Sequence, residues 1–298
     1  MLITFILGIV FGILITFLIF VRAIITLVAG QFLLHPQRAV FRDSPTSYGL
    51  PFENVTFRSI DGIALKGWFI PADNPRGTII ICHGYSGNKD PDLIFAPFLH
   101  NASYNLFLFD FRGHGESAGD YTSLGYFEVQ DLRGALSYLK SRADVDKNRI
   151  GVMGVSMGAA VAMLTAAKTE EIKAVVEDSG FATLRAAIAS TLKGFGFPNL
   201  FVPLFSFLAY RAVGWYLKFA PREGEPIRFV KKISPRPLFI IHGEADSLVE
   251  IKNAHQLYKE AGKPKEIWTV PGIEHSQVYA FHKEEYERRT LEFWKRWL

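Results

Sequence analysis

The sequence predicts an α/β domain built on a mainly parallel β-sheet, and three features predict it. Short, continuous β-rich runs recur at 78–82, 106–110, 149–153, 174–177, 237–241 and 266–270. Runs of this kind suit strands buried on both faces of a sheet. Segments of helical period lie between them, and that alternation is how parallel β-α-β units read in a sequence. An antiparallel hairpin precedes them, with ENVTFRSI and IALKGWFIPA flanking an Asp61-Gly62 turn.

Each helical segment has its own pattern. Residues 123–140 place Val129, Leu132, Leu136 and Leu139 on one side. Residues 157–167 are rich in small side chains and can approach a sheet closely. Residues 279–298 carry Tyr286, Phe293 and Trp297 at helical spacing and close the chain. The stretch at about 181–232 departs from the alternation and reads as an inserted cap. Residues 31–50, with Pro36, Pro45 and Gly49, read as a linker, so the domain proper is expected over 51–298.

The first residues pose a separate question. No charged side chain occurs between Met1 and Val21, and apolar character resumes after Arg22. Twenty-one helical residues reach roughly 30 Å, the thickness of a bilayer core. Residues 1–30 are therefore expected to be a single-pass transmembrane anchor, with a cleaved signal peptide as the competing reading. The side of the membrane is left open. Arg22, Arg38 and Arg42 favour a cytoplasmic body, whereas the triplets Asn54-Val55-Thr56 and Asn101-Ala102-Ser103 would suit a lumenal one.

Composition narrows the function classes. With 33 Lys and Arg against 29 Asp and Glu over 298 residues, the formal charge is +4 and is spread along the chain. No clustered basic face of a nucleic-acid binder is present. A lone cysteine, Cys82, rules out an intrachain disulfide framework and a Cys-based zinc cluster. No metal-ligand spacing such as His-Glu-x-x-His occurs, and neither metal nor cofactor is expected.

The chemistry concentrates in three loops. Gly154-Val155-Ser156-Met157-Gly158 follows the run ending at Met153 and opens a helix, which is the pattern of a nucleophile elbow. A serine hydroxyl needs a base, and the base an orienting carboxylate. Asp246 follows the 237–241 run in HGEAD, and His275 follows the 266–270 run in PGIEHS. Parallel strands bring both loops to the same sheet edge as Ser156, and the order Ser, acid, His is that of the elbow fold. Asp178 is the competing acid, and strand order favours Asp246. His255 and His282 read as surface or packing residues, and His83, His114 and His242 as bonds to backbone. For the oxyanion, the Met157 N–H supplies one donor and the Tyr85 N–H, in His83-Gly84-Tyr85-Ser86-Gly87-Asn88, is the candidate for the second.

These pieces, together with DFRGHGES at 110–117, resemble the α/β-hydrolase superfamily over essentially all of 51–298. The closer likeness is to membrane-anchored α/β-hydrolase-domain proteins related to serine aminopeptidases and acyl hydrolases. The resemblance implies Ser156, Asp246 and His275 as triad, Tyr85 and Met157 as oxyanion donors, and the insert after the sixth strand as cap. The expected function is thus a membrane-anchored serine hydrolase cleaving a small-molecule or lipid-like acyl ester or thioester, with no nucleic-acid partner. Two alternatives stand beside it. One is a serine peptidase or aminopeptidase, in which Glu244 or Asp178 would meet the substrate amine. The other is a catalytically silent hydrolase fold used as a binding module. The aromatic stretch 191–219 of the cap is expected to line an acyl pocket or to rest in lipid beside the anchor.

Overall fold

The computed structural model describes residues 2–28, 33–38, 40 and 43–298. Among them, eight strands form one sheet in the order β1-β2-β4-β3-β5-β6-β7-β8. The hairpin is β1 (Glu53–Arg58) and β2 (Ala64–Ile70), antiparallel with Val55 opposite Gly67. β2 also lies antiparallel to β4 (Tyr104–Phe109). The remaining neighbours are all parallel: β3 (Gly77–Cys82), β5 (Ile150–Val155), β6 (Ala174–Asp178), β7 (Leu238–Gly243) and β8 (Lys265–Val270). β3, β4, β6 and β7 are buried at every position, which explains their unbroken apolar runs. β8 is an edge strand and is only partly buried, with Ile267 against one core and Trp268 and Val270 against the other.

Helices cover both faces. On one side α3 (Glu128–Ser141) and α4 (Met157–Ala166) contribute Leu132, Leu136 and Val161 to a core shared with Phe107 and Phe109. On the other, α2 (Ala96–Asn101) supplies Phe98 and Leu99 to a second core. α3 begins later than its periodicity suggests because the buried Glu128 carboxylate gathers the preceding chain into a turn. It accepts from Thr122 Oγ1 at 2.8 Å, Ser123 Oγ at 2.6 Å and the Gly125 N–H at 2.8 Å.

The cap lies between β6 and β7 and contains α5 (Leu184–Gly194) and α6 (Val202–Tyr216), followed by short 3-10 turns. Pro203 sits in the first turn of α6, where a missing N–H costs nothing, so it starts a helix there. α7 (Lys252–Glu260) packs between β7 and β8. The C-terminal helix is broken at His282 into α8 (Val278–Phe281) and α9 (Lys283–Trp297). Its buried aromatic residues are Tyr286, Phe293 and Trp294, whereas Trp297, picked out by spacing, is 37% exposed.

The N-terminal reading needs correction. Leu2–Val28 is a helix, α1, and it approaches α6 of the cap. Among the described residues, however, no helix is long and apolar enough to cross a membrane. The transmembrane anchor, the single-pass membrane placement, the membrane as partner and the likeness to membrane-anchored relatives are therefore withdrawn. The Arg42 of the orientation argument lies outside the described residues, as do parts of the expected anchor and linker. Arg38, within that linker, donates to the carbonyls of Gly115, Ser117 and Gly119 at 2.8, 2.6 and 2.8 Å.

Candidate active site

Ser156 stands between β5 and α4 with φ 53° and ψ −112°. That backbone is strained for a residue bearing a Cβ and persists only where its surroundings fix it. The fixing is visible. The Ser156 N–H donates to the Asp178 carbonyl at 2.8 Å, and its own carbonyl accepts from the Ala159 and Ala160 N–H groups. The turn also needs space, because a Cβ on Gly158 would stand 1.9 Å from the Cys82 carbonyl oxygen.

The structure brings Ser156, His275 and Asp246 together. Asp246 Oδ2 accepts from His275 Nδ1 at 2.7 Å, which leaves Nε2 as the acceptor for Ser156 Oγ–H at 2.9 Å. Asp246 Oδ1 accepts from the Leu248 and Val249 N–H groups at 2.9 and 2.7 Å. Burial alone would raise the Asp246 carboxyl, but hydrogen bonds from His242, His275 and the Val249 N–H outweigh it and bring it down to about 2. The two loops can approach because Gly243 has no side chain: a Cβ there would lie 2.2 Å from the Ile273 carbonyl oxygen.

Asp178, the competing acid, is occupied elsewhere. It accepts from Ser179 Oγ at 2.8 Å and from Tyr286 Oη at 2.8 Å. Ser179 Oγ in turn accepts the Ser276 N–H at 3.1 Å, so Asp178 holds the loop that carries His275. Glu244 accepts from Thr269 Oγ1 at 2.7 Å, and neither it nor Asp178 lines the cavity beside Ser156. His83 and His114 bond backbone as the sequence suggests, His83 Nδ1 to the Gly84 carbonyl at 2.7 Å and His114 Nδ1 to the Arg112 carbonyl at 2.8 Å. His242 bonds backbone too, but it also lies 3.3 Å from Asp246 Oδ2, a contact the sequence reading missed.

The oxyanion candidates flank the same point. Met157 is the first residue of α4, where N–H groups lack an intrahelical acceptor. Tyr85 follows β3, and the loop passes so close that a Cβ on Gly84 would lie 3.5 Å from the Ser156 Cβ. The loop is held in turn by the buried Lys89, whose Nζ donates to Asp110 Oδ2 at 2.7 Å, and by Asn88, whose Oδ1 accepts the Asp90 N–H at 2.9 Å.

A cavity of about 250 Å³ opens on Ser156 and His275, with Tyr85 and Met157 in its wall. Leu124, Phe181, Ala187, Phe195, Leu248 and Val249 make it largely apolar, and among the described residues no Asp, Glu, Lys or Arg lines it. α5 thus brings the cap to the serine through Ala187, Thr191 and Gly194, with Phe195 just beyond its end, whereas Leu200, Phe201, Leu204, Phe207, Trp215 and Tyr216 of the expected aromatic stretch are exposed and away from this cavity. Among the described residues, no group of three or more His, Cys, Asp or Glu is placed to hold a metal ion.

Buried acids behind the site give a pH signature. Burial, and then the nearby Asp178, push the Asp92 carboxyl up to about 7. A carboxyl raised in the folded state favours folding below its unfolded pKa of about 4 and loses that advantage as pH rises towards 7. Asp92→Asn should therefore melt higher than the native chain by about 2–4 °C at pH 8, with little difference at pH 4.5. Thermal melts across that range check it, and a pH-independent difference would contradict it.

Comparison with known proteins points to a serine-hydrolase-like enzyme. The family model described as "Serine aminopeptidase, S33" matches residues 73–220. The protein YfhR of Escherichia coli (strain K12) is 30% identical over 291 residues, covering 94% of this chain and 93% of its own. YqkD of Bacillus subtilis (strain 168) is 28% identical over 236 residues, covering 78% and 75%. Among solved structures, the Pyrococcus furiosus esterase Pf2001 superimposes with a TM-score of 0.72 at 30% identity, covering 88% of this chain and 99% of that one. The expected membrane-anchored acyl hydrolase gives way to an esterase- or peptidase-like serine-hydrolase type, because no described helix is long and apolar enough to cross a membrane, the matching family model is that of a serine aminopeptidase and the similar Pf2001 structure is that of an esterase.

Proposed function

Because the chain belongs to the α/β-hydrolase superfamily and is a serine-hydrolase-like enzyme, we propose that it hydrolyses an ester or amide of a compact, neutral acyl group through Ser156, His275 and Asp246. The hydrogen-bonded line from Ser156 Oγ through His275 to Asp246 Oδ2 is the observation that carries this reading. His275 Nε2 takes the Oγ proton as the serine attacks the acyl carbon. The Asp246 carboxylate, anionic at neutral pH, holds the ring and stabilises the imidazolium that forms. The Met157 and Tyr85 N–H groups receive the oxyanion. The imidazolium then protonates the leaving alcohol or amine, and water attacks the acyl-enzyme by the same steps in reverse roles.

The wall of the cavity argues about the acyl group. A free α-ammonium group would meet no carboxylate there, and burying an unpaired charge is strongly unfavourable. N-acetylated aminoacyl substrates are therefore expected to be cleaved at least about tenfold more efficiently than their free-amine counterparts. Comparing kcat/KM for N-acetyl-alanyl and alanyl p-nitroanilide, alongside p-nitrophenyl acetate, butyrate and octanoate, tests both parts. A preference for the free amine would place amine recognition in this cavity after all. Absence of turnover on every substrate would return the chain to the silent binding-module reading.

A further inference from the structure

Asp246 is gripped from a second side. His242, the penultimate residue of β7, is completely buried, and its Nε2 lies 2.7 Å from the Val249 carbonyl oxygen and 3.3 Å from Asp246 Oδ2. Both neighbours are acceptors, so Nε2 carries a proton and donates it between them. The Val249 N–H donates back to Asp246 Oδ1 at 2.7 Å. His242, Val249 and Asp246 thereby close a small ring of hydrogen bonds around the carboxylate.

Glu177 lies near enough to act on the imidazole electrostatically, without a hydrogen bond to its Nδ1. Glu177 pairs with Ile240 across β6 and β7, and side chains alternate along a strand, so Glu177 and His242 project from the same face of the sheet. Glu177 Oε2 accepts the Gly180 N–H at 2.9 Å. Burial opposes charge on His242, but Asp246, Glu177 and the Val249 carbonyl outweigh it and raise the imidazole above its ordinary value. The ring has reason to be a strong donor where it sits.

We propose that His242 is a positioning residue: its Nε2–H fixes the Asp246 carboxylate in the orientation that presents Oδ2 to His275 Nδ1. His275 and His242 then share one carboxylate oxygen, while two backbone N–H groups hold the other. Without the His242 donor, Oδ2 keeps only His275, the Val249 carbonyl loses its donor, and the carboxylate gains room to turn. Misplacement of a catalytic group by about 1 Å costs about 10²-fold. This role rests on the triad reading above.

The test is a double-mutant cycle in the full chain, with kcat referred to the serines competent to react with a fluorophosphonate. His242→Ala should lower kcat per competent site by about 10- to 100-fold with KM changed less than about twofold. His242→Gln, whose amide nitrogen reaches the place of Nε2, should recover most of that loss. It also serves where the alanine variant does not fold. In the Asp246→Asn background, His242→Ala should cost less than about threefold more, because the group it acts through is already gone. Equal losses in both backgrounds, or a glutamine variant as slow as alanine, would overturn the role of His242. Native turnover by Asp246→Asn alone would instead overturn the triad reading beneath it.

Discussion

Ser156→Ala is expected to lower kcat by about 10⁴-fold or more while leaving the fold intact. The hydroxyl lost is the one hydrogen-bonded to His275 Nε2, and no other hydroxyl is bonded to that nitrogen among the described residues. The remaining catalysis would come from substrate binding and the oxyanion donors, which by themselves sustain only a small fraction of a serine hydrolase's rate. Stability should change little, because the strained backbone at φ 53° is held by main-chain bonds that alanine keeps. The check is kcat on the best ester together with a thermal melt. Turnover within tenfold of the native chain, at equal stability, would mean that another residue is the nucleophile.

Gly158→Ala is expected to be the most damaging single methyl addition. The new Cβ would lie 1.9 Å from the Cys82 carbonyl oxygen and 2.8 Å from that of His83, both backbone atoms at the end of the central strand β3. Backbone in the middle of a parallel sheet has nowhere to move without breaking the ladder to β4 and β5. A loss of about 4 kcal/mol or more follows, enough to unfold a marginally stable domain. Gly194→Ala is the control, since nothing lies within 4 Å of the Cβ it would add at the end of α5. Urea midpoints measure both. Similar midpoints for the two variants would show that the elbow is looser than its geometry implies.

Much of this site is readable before any coordinates. Strands buried on both faces announce themselves as apolar runs, and a serine, an aspartate and a histidine each placed just after such a run must meet at one sheet edge. What escapes the sequence is whatever depends on distant partners. The engagement of Asp178 comes from Tyr286, 108 positions away, so its exclusion from the triad could be argued only from strand order. His242 was legible as a backbone-bonding histidine, and its position four residues before Asp246 on a fully buried strand was the overlooked signal. Helix limits went astray where the local chain departs from its periodicity, through the Glu128 side chain before α3 and through the non-helical backbone of His282, φ −131° and ψ 43°, before α9. The apolar N-terminal run predicted a helix, and a helix is there, but composition alone could not say that it would be the wrong guide to placement in a membrane.

The measurement that bears most directly on the catalytic assignment is the site of covalent attack by a fluorophosphonate, located by peptide mass spectrometry on the full chain. One adduct per chain is expected, on the peptide containing Ser156. Phosphonylation uses the same activated oxygen as acyl transfer, so His275→Ala and Asp246→Asn should slow it by at least about 10²-fold. An adduct on any other residue, or labelling of Ser156 at the native rate in the His275→Ala variant, would contradict the Ser156–His275–Asp246 mechanism.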